Sequence, residues 1–262
     1  MSHFDNYVHL LRDPKFSFEG DPLAKKLLVS EHGDFQTFYA PFDHINLQAK
    51  IVICGITPGK TQAFEALNTI RASLLNGDPA DVAKQKAKEA ASFVGLMRTN
   101  LIKMLDHVGV HELLGISGCA ALYGSQKHLV HNTSALRNPV LKKGENYTGR
   151  SPSLVKKAEF LKVVEQGLAE EIKAMPSDCI YVPLGEEVWN VFSHLESKGL
   201  VNPAKVIHGM FHPSGASNER IAYFLGKKPR QELSKQTNAD KIDMNKARML
   251  ATINALKEAI RV

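Results

Sequence analysis

The sequence predicts an α/β fold: a three-layer α/β/α sandwich around a short, mainly parallel four-stranded sheet. Three observations predict it. Four short apolar runs rich in β-branched residues stand at 49–54, 129–136, 179–184 and 205–210. Segments of helical periodicity separate them, which is the pattern of strands joined by crossover helices. No repeat or long linker interrupts the 262 residues, so one domain with a substantial core is expected over 1–262.

Each element has its own reason. Residues 7–11 fit a short helix, and the aromatic stretch 35–42 is partly extended. The run 49–54 is continuously apolar and reads as a buried strand. Residues 61–75 and 80–91 have helical composition, the second rich in Ala and Lys, with Asn76-Gly77-Asp78-Pro79 as the turn between them. Lys84 to Lys88 read as an exposed face of that second helix. In 95–108, Leu96, Leu101, Met104, Leu105 and Val108 recur at helical spacing.

The second strand, 129–136, runs into a loop over 138–152 marked by Pro139, Gly144, Gly149 and Pro152. Residues 154–175 read as one amphipathic helix stopped by Pro176. A third buried strand covers 179–184, followed by a helix over 185–198 that ends at Gly199 and holds Trp189 in its apolar pattern, a core position. The fourth strand is 205–210. A polar, basic loop over 226–240 precedes a last helix over 241–260.

Composition narrows the function classes. The apolar fraction of 44% and charged fraction of 23% are those of a soluble globular chain. The net charge of +6 suits a polyanionic partner without requiring one. Cys54, Cys119 and Cys179 are odd in number and far apart, with no C-x-x-C pair. That excludes a disulfide framework, a zinc ribbon and a four-cysteine iron–sulfur cluster. Cys54 and Cys179 sit in apolar runs and read as buried thiols. The opening Met1-Ser-His-Phe-Asp5 does not have the form of a signal peptide. No apolar run approaches the roughly 20 residues that span a bilayer. A cytoplasmic monomer is expected, nucleoid-associated in a bacterium, with no membrane partner.

Two strand ends carry chemistry: Ile51-Val-Ile-Cys-Gly-Ile-Thr-Pro-Gly59 and Gly209-Met-Phe-His-Pro-Ser-Gly-Ala-Ser217. Each apolar run ends in a Gly/Pro turn with small polar groups, and the second turn adds a histidine. Strand ends at one rim of a parallel sheet are where open α/β folds place ligands. The first turn, Cys54 to Thr61, nearly matches the phosphate-binding G-x-x-x-x-G-K-[ST] loop. Cys54 stands at the first Gly position, however, and Pro58 removes a backbone donor from a loop that works by presenting donors. No later strand ends in a magnesium-binding Asp: Val182-Pro-Leu-Gly185 has none.

Gly55-Ile-Thr-Pro-Gly59 also resembles the first motif of the uracil-DNA glycosylase superfamily, and His212-Pro-Ser-Gly-Ala-Ser217 resembles its second. Ser92-Phe-Val-Gly95 looks like a superfamily segment whose Phe stacks on the flipped base. Val130-His-Asn-Thr-Ser134 resembles the strand end whose Asn reads the base edge. The resemblance covers roughly residues 49–225. It implies a base-excision enzyme that takes a deaminated base out of single-stranded or damaged duplex DNA into a pocket, with no metal or organic cofactor. His212 would hydrogen-bond the departing base, Asn132 would pair with its edge and Phe93 would stack on it. Gly55, Ile56, Pro58 and Gly59 would shape the pocket, and Ser214 and Ser217 would grip flanking phosphates.

Two departures matter. Thr57 stands where the superfamily positions water with Asp or Asn, or with a Glu one residue earlier. By the resemblance Thr57 is a catalytic residue with His212. Its hydroxyl can hydrogen-bond the attacking water but is no base near neutral pH, and general-base help is worth about 10²- to 10⁴-fold. A slow glycosylase, or one with its base supplied elsewhere, stays open. A non-catalytic nucleic-acid binder on the same fold is therefore the alternative. Ala216 stands near the superfamily's bulky duplex wedge, which points to single-stranded substrate or a wedge from another loop. Gly59, where the strictest uracil enzymes carry a blocking Tyr, implies looser base choice.

Each residue also has a plainer reading. Thr57 can satisfy backbone groups in its turn, His212 can be a turn histidine, Asn132 an Asx-turn, and Phe93 core. His128 and His131 flank Asn132, whereas His208 reads as packed. Arg137, Lys142, Lys143, Arg150, Arg220, Lys227, Lys228 and Arg230 fall in loops flanking the motifs, as a phosphate-gripping surface would.

Overall fold

Strand and helix patterns alternate along the sequence, and the chain folds as mixed α/β. The computed structural model describes residues 3–21, 23–150 and 152–261. Met1 and Ser2 of the opening segment and Ser151 of the 138–152 stretch lie outside the described residues. In chain order the elements begin with α1 (His3–Arg12), β1 (Leu28–His32), β2 (Phe35–Phe38), β3 (Ile51–Gly55), α2 (Lys60–Leu75), α3 (Ala80–Ala91), α4 (Leu96–His107) and α5 (Val110–Leu113). They continue with β4 (Val130–Ser134), β5 (Val140–Lys142), β6 (Glu145–Asn146), α6 (Ala158–Gln166), α7 (Leu168–Ala174), β7 (Ile180–Pro183), α8 (Glu186–Ser197), α9 (Asn218–Phe224) and α10 (Ala239–Arg261). The elements group into two compact units, each assembled from three separate stretches of chain.

The first unit comprises Met1–Ile45, Ile56–Val94 and Asn132–Glu171. Its core gathers Leu11, Leu27, Tyr39, Leu67 and Ile70, all fully buried. Helix α2 packs on α3 through Ala63, Ala66, Ala83, Ala87 and Ala91, small side chains that let two backbones approach closely. Lys88 corrects the exposed-face reading of 84–88. It turns inward, donates to the His44 carbonyl at 2.6 Å and faces Glu171 at 3.5 Å, whose other oxygen binds Arg137 at 2.9 Å. Pairing and hydrogen bonds offset the desolvation of these buried charges.

This unit also holds a four-stranded antiparallel sheet, ordered β1-β2-β5-β6, that the sequence did not announce. The expected loop over 138–152 instead builds the β5–β6 hairpin. Lys142 sits opposite Glu145, and the two residues between them, Lys143 and Gly144, both have positive φ, at 51° and 78°. Two-residue hairpin turns of matching twist demand that conformation. The helix expected over 154–175 is divided: a 3-10 turn covers Leu154–Lys156, and α6 stops at Gly167 before α7 restarts. A Cβ on Gly167 would sit 2.9 Å from the Val163 carbonyl oxygen, so only glycine fits that break.

The second unit comprises Asn46–Gly55, Gly95–His131 and Ile172–Val262. In the three-stranded sheet ordered β4-β3-β7, β3 and β7 belong to this unit and pair in parallel from Ile51 opposite Ile180 to Cys54 opposite Pro183. Both of those strands are buried throughout, as continuous apolar runs require. Leu101, Met104, Phe192, Met249 and Ile253 are fully buried around them, as are all three cysteines. Trp189 is half-buried rather than core; its indole N–H donates to the Pro183 carbonyl at 3.0 Å.

The expected fourth strand, 205–210, shrinks to a single parallel bridge between Val206 and Tyr181. Ile207 still donates to the Tyr181 carbonyl at 2.8 Å, but His208 bonds back to Val206, and Gly209 adopts a φ of 124°. A Cβ on Gly209 would lie 2.7 Å from the Asn245 carbonyl of α10, so the close approach of that helix fixes the bend. His208 is packed, as read, with Nε2 2.9 Å from Glu196 Oε1. Among the described residues no helix is long and apolar enough to cross a membrane.

Candidate active site

In the second unit, hydrogen bonds join the strand ends in order. Leu184 donates to the Cys54 carbonyl and Gly185 to the Met210 carbonyl, both at 2.8 Å. The end of β3, with Gly55, thus borders the end of β7, which borders the segment leading into His212. Gly185 has a φ of 89°, and a Cβ there would lie 3.9 Å from the His212 backbone nitrogen. Asn100, buried in α4, donates to the Pro213 carbonyl at 3.0 Å and fixes the far side of the turn. Ser217 N–H bonds to the Ser214 carbonyl at 2.9 Å, closing a 3-10 turn that opens α9. Ser217 is buried and Ser214 half-buried.

His212 stands out in this frame. Its side chain is half-buried, yet the imidazole makes no hydrogen bond or ion pair among the described residues. Burial pushes its pKa below the ordinary histidine value, so the ring is neutral at pH 7. A desolvated imidazole without a partner keeps one donor and one acceptor available to a ligand.

In the first unit the turn Ile56–Gly59 leads into the start of α2. Thr57 Oγ1 donates to the Asn138 carbonyl at 2.9 Å and accepts from the Val140 N–H at 3.0 Å. Its only proton is spent, and one lone pair remains. Thr57 thus satisfies two backbone groups of its turn. Ile56 accepts from Leu136 N–H at 2.9 Å, and Pro58 is buried. Gly59 N–H donates to Gln62 Oε1 at 3.1 Å, and Gln62 Nε2 reaches the Ala91 carbonyl at 3.2 Å, just before Phe93. Phe93 is buried with a φ of 47°. For a bulky residue that backbone is an outlier, of the kind that clusters at binding sites. Asn132 lies half-buried on β4.

Three contributors were not read from the sequence. Asn146 on β6 accepts from Lys60 N–H at 2.9 Å and caps α2 from a distant strand. Its amide nitrogen lies 3.2 Å from where a Gly59 Cβ would stand, so the room over Gly59 is already in use. Asn100 hides within an apolar helical pattern. Leu96 is 56% exposed, and its Cδ2 lies 3.6 Å from a Gly215 Cβ position. A large apolar side chain therefore stands in solvent beside the His212 turn, next to small Ala216. Isolated polar or apolar residues of this kind carry no spacing signal.

The basic residues divide sharply. Arg137, Lys143, Lys228 and Arg230 are ion-paired to Glu171, Asp34, Glu219 and Asp240. Lys142 lies over the Phe35 ring. Among the described residues Arg150, Arg220 and Lys227 have no ion pair and remain available to an anion. His131 is buried, its Nδ1 accepting from Asn46 N–H at 3.3 Å.

The chain is 31% identical over 237 residues to a Bacillus subtilis (strain 168) protein that carries the name uncharacterized protein YoxB, covering 90% of this chain and 91% of that one. No protein-family model matches the chain, and no solved structure matches it.

Proposed function

We propose that this chain, which belongs to the same family as Bacillus subtilis YoxB, is a DNA glycosylase on the three-layer fold of the uracil-DNA glycosylase superfamily. The observation that carries the proposal is His212: neutral, largely desolvated and without a partner, on a turn beside two strand ends. Cleavage of an N-glycosidic bond leaves the bonding electrons on the base and positive charge on the sugar. A preorganised N–H in a low-dielectric site stabilises that leaving base, and water then adds to the sugar. The resemblance assigns base stacking to Phe93 and edge pairing to Asn132, and it assigns flanking phosphate to Ser214 and Ser217, which share the His212 turn. Thr57 holds its turn rather than the water, so hydrolysis proceeds without a base at that position and is slow.

That same double commitment of Thr57 favours one second reading, a nucleic-acid binder without catalysis. The phosphate-loop alternative has less support. Lys60 Nζ donates to the Gly144 carbonyl at 3.1 Å, and Lys60 N–H is already capped. Base release from single- and double-stranded oligonucleotides carrying uracil, hypoxanthine or xanthine tests the proposal. Abasic sites should form, and His212→Ala should slow their formation by about 10²- to 10³-fold. Tight binding with no abasic sites at enzyme excess would overturn the glycosylase reading and leave the binder.

A further inference from the structure

Asp106, His111 and Cys119 lie within one short stretch of the second unit, and their ligand atoms all fall within 4.8 Å of one another. Asp106 lies in the last turn of α4, His111 sits in α5, and Cys119 opens a 3-10 turn. The His111 backbone hydrogen-bonds the Cys119 sulfur, but among the described residues no hydrogen bond joins the His111 ring to Asp106 or Cys119. His111 Nδ1 is sealed from solvent and has no partner, although Asp106 Oδ1 is only 3.5 Å away. Cys119 N–H bonds to that same oxygen at 2.7 Å, and the Cys119 thiol hydrogen-bonds the Asp106 carboxylate as well, so sulfur and carboxylate already lie together. On the other side of the ring, His111 Nε2 faces Glu112 Oε1 at 3.8 Å, and Lys257 holds the second Glu112 oxygen at 2.6 Å.

We propose that these three side chains bind a divalent, thiophilic metal ion of the zinc class. Sulfur, imidazole nitrogen and carboxylate oxygen are the donor set such an ion takes. Tetrahedral bonds of about 2.0–2.3 Å place ligands about 3.3–3.8 Å apart, so small side-chain rotations close the cluster. Three protein ligands leave a fourth position for water. On binding, the Cys119 thiol releases its proton to solvent and a sulfur–metal bond replaces the S–H bond. Glu112 stands where a metal-binding histidine characteristically donates its other N–H, which would fix the tautomer that presents the Nδ1 lone pair to the ion. A nucleophilic Cys–His–Asp arrangement fits worse, because Cys119 is fully buried and its burial and Asp106 push the thiol pKa up, away from a reactive thiolate. The inference does not depend on the glycosylase reading.

Cobalt(II) titration of the full chain, stripped with chelator, is the test. One equivalent should give thiolate-to-cobalt charge-transfer absorption together with tetrahedral ligand-field bands, and zinc should displace it. Cys119→Ser should abolish the charge-transfer band, whereas Cys179→Ser should keep it. Glu112→Gln should weaken binding by about 10- to 100-fold. If Cys119→Ser does not fold, His111→Gln serves: zinc should raise the Tm of the parent chain and leave that of His111→Gln unmoved. A folded parent chain with no band, a band that survives Cys119→Ser, or an equal zinc shift in His111→Gln would overturn the site.

Discussion

At the residue scale, a hydrogen bond donated to one group cannot be offered to another. Thr57 spends its proton on Asn138 and a lone pair on Val140, binding its turn to the start of β5. Thr57→Val keeps the shape and removes the hydroxyl. It should cost about 1–3 kcal/mol in denaturant unfolding, because two backbone groups lose a partner. Base release per folded molecule should change little; a drop beyond tenfold with unchanged stability would return Thr57 to the chemistry. The motif spacing revealed that Thr57 sits in a tight turn. It could not reveal what the hydroxyl touches, since Asn138 and Val140 lie some 80 residues away in an apparent loop. Leu96 poses the converse case. If its exposed side chain wedges into duplex DNA, Leu96→Ala should slow base release from duplex while leaving single-stranded substrate unaffected. Equal slowing on both would rule out the wedge.

At the element scale, the long periodic segments were legible and the short ones were not. Helices α2, α3, α4, α8 and α10 fall within a few residues of their sequence positions, and so do strands β3, β4 and β7. Their periodicity spans enough residues to outweigh local noise. The β5–β6 hairpin escaped because its strands have three and two residues and its turn opens with Lys143 where Asn is customary. The division of the 154–175 helix escaped because Gly167 is a single residue inside an amphipathic pattern. The fourth strand failed for a tertiary reason, the bend that α10 imposes at Gly209. The hairpin has an energetic role as well as a geometric one: it delivers Asn146 to the start of α2, where Gly59 has no side chain to act as a cap. Asn146→Ala should therefore destabilise the fold by about 0.5–2 kcal/mol, read as a lower Tm. Asn146→Asp, which keeps the acceptor and adds a charge suited to a helix N-terminus, should restore it.

At the scale of the whole molecule, protonation and chain order both matter. His212, His44 and His107 all have pKa values lowered chiefly by burial. Each binds a proton more readily when unfolded, so stability is full above the unfolded value of about 6.5 and falls as pH drops below it. His212→Gln removes one of the three contributions. Its loss of stability between about pH 7.5 and about pH 5.5 should be smaller than that of the parent chain. Identical losses would mean that His212 titrates normally. The parallel pairing of β3 with β7 has a consequence for synthesis. Ile51 leaves the ribosome about 130 residues before Ile180, the residue opposite it. At about 5–20 residues per second, a nascent chain would carry that apolar strand for roughly 6 to 26 s before β7, one of its two neighbours, exists. A segment destined to be wholly covered begins life uncovered, and a chaperone or transient non-native contacts must shield it until translation catches up.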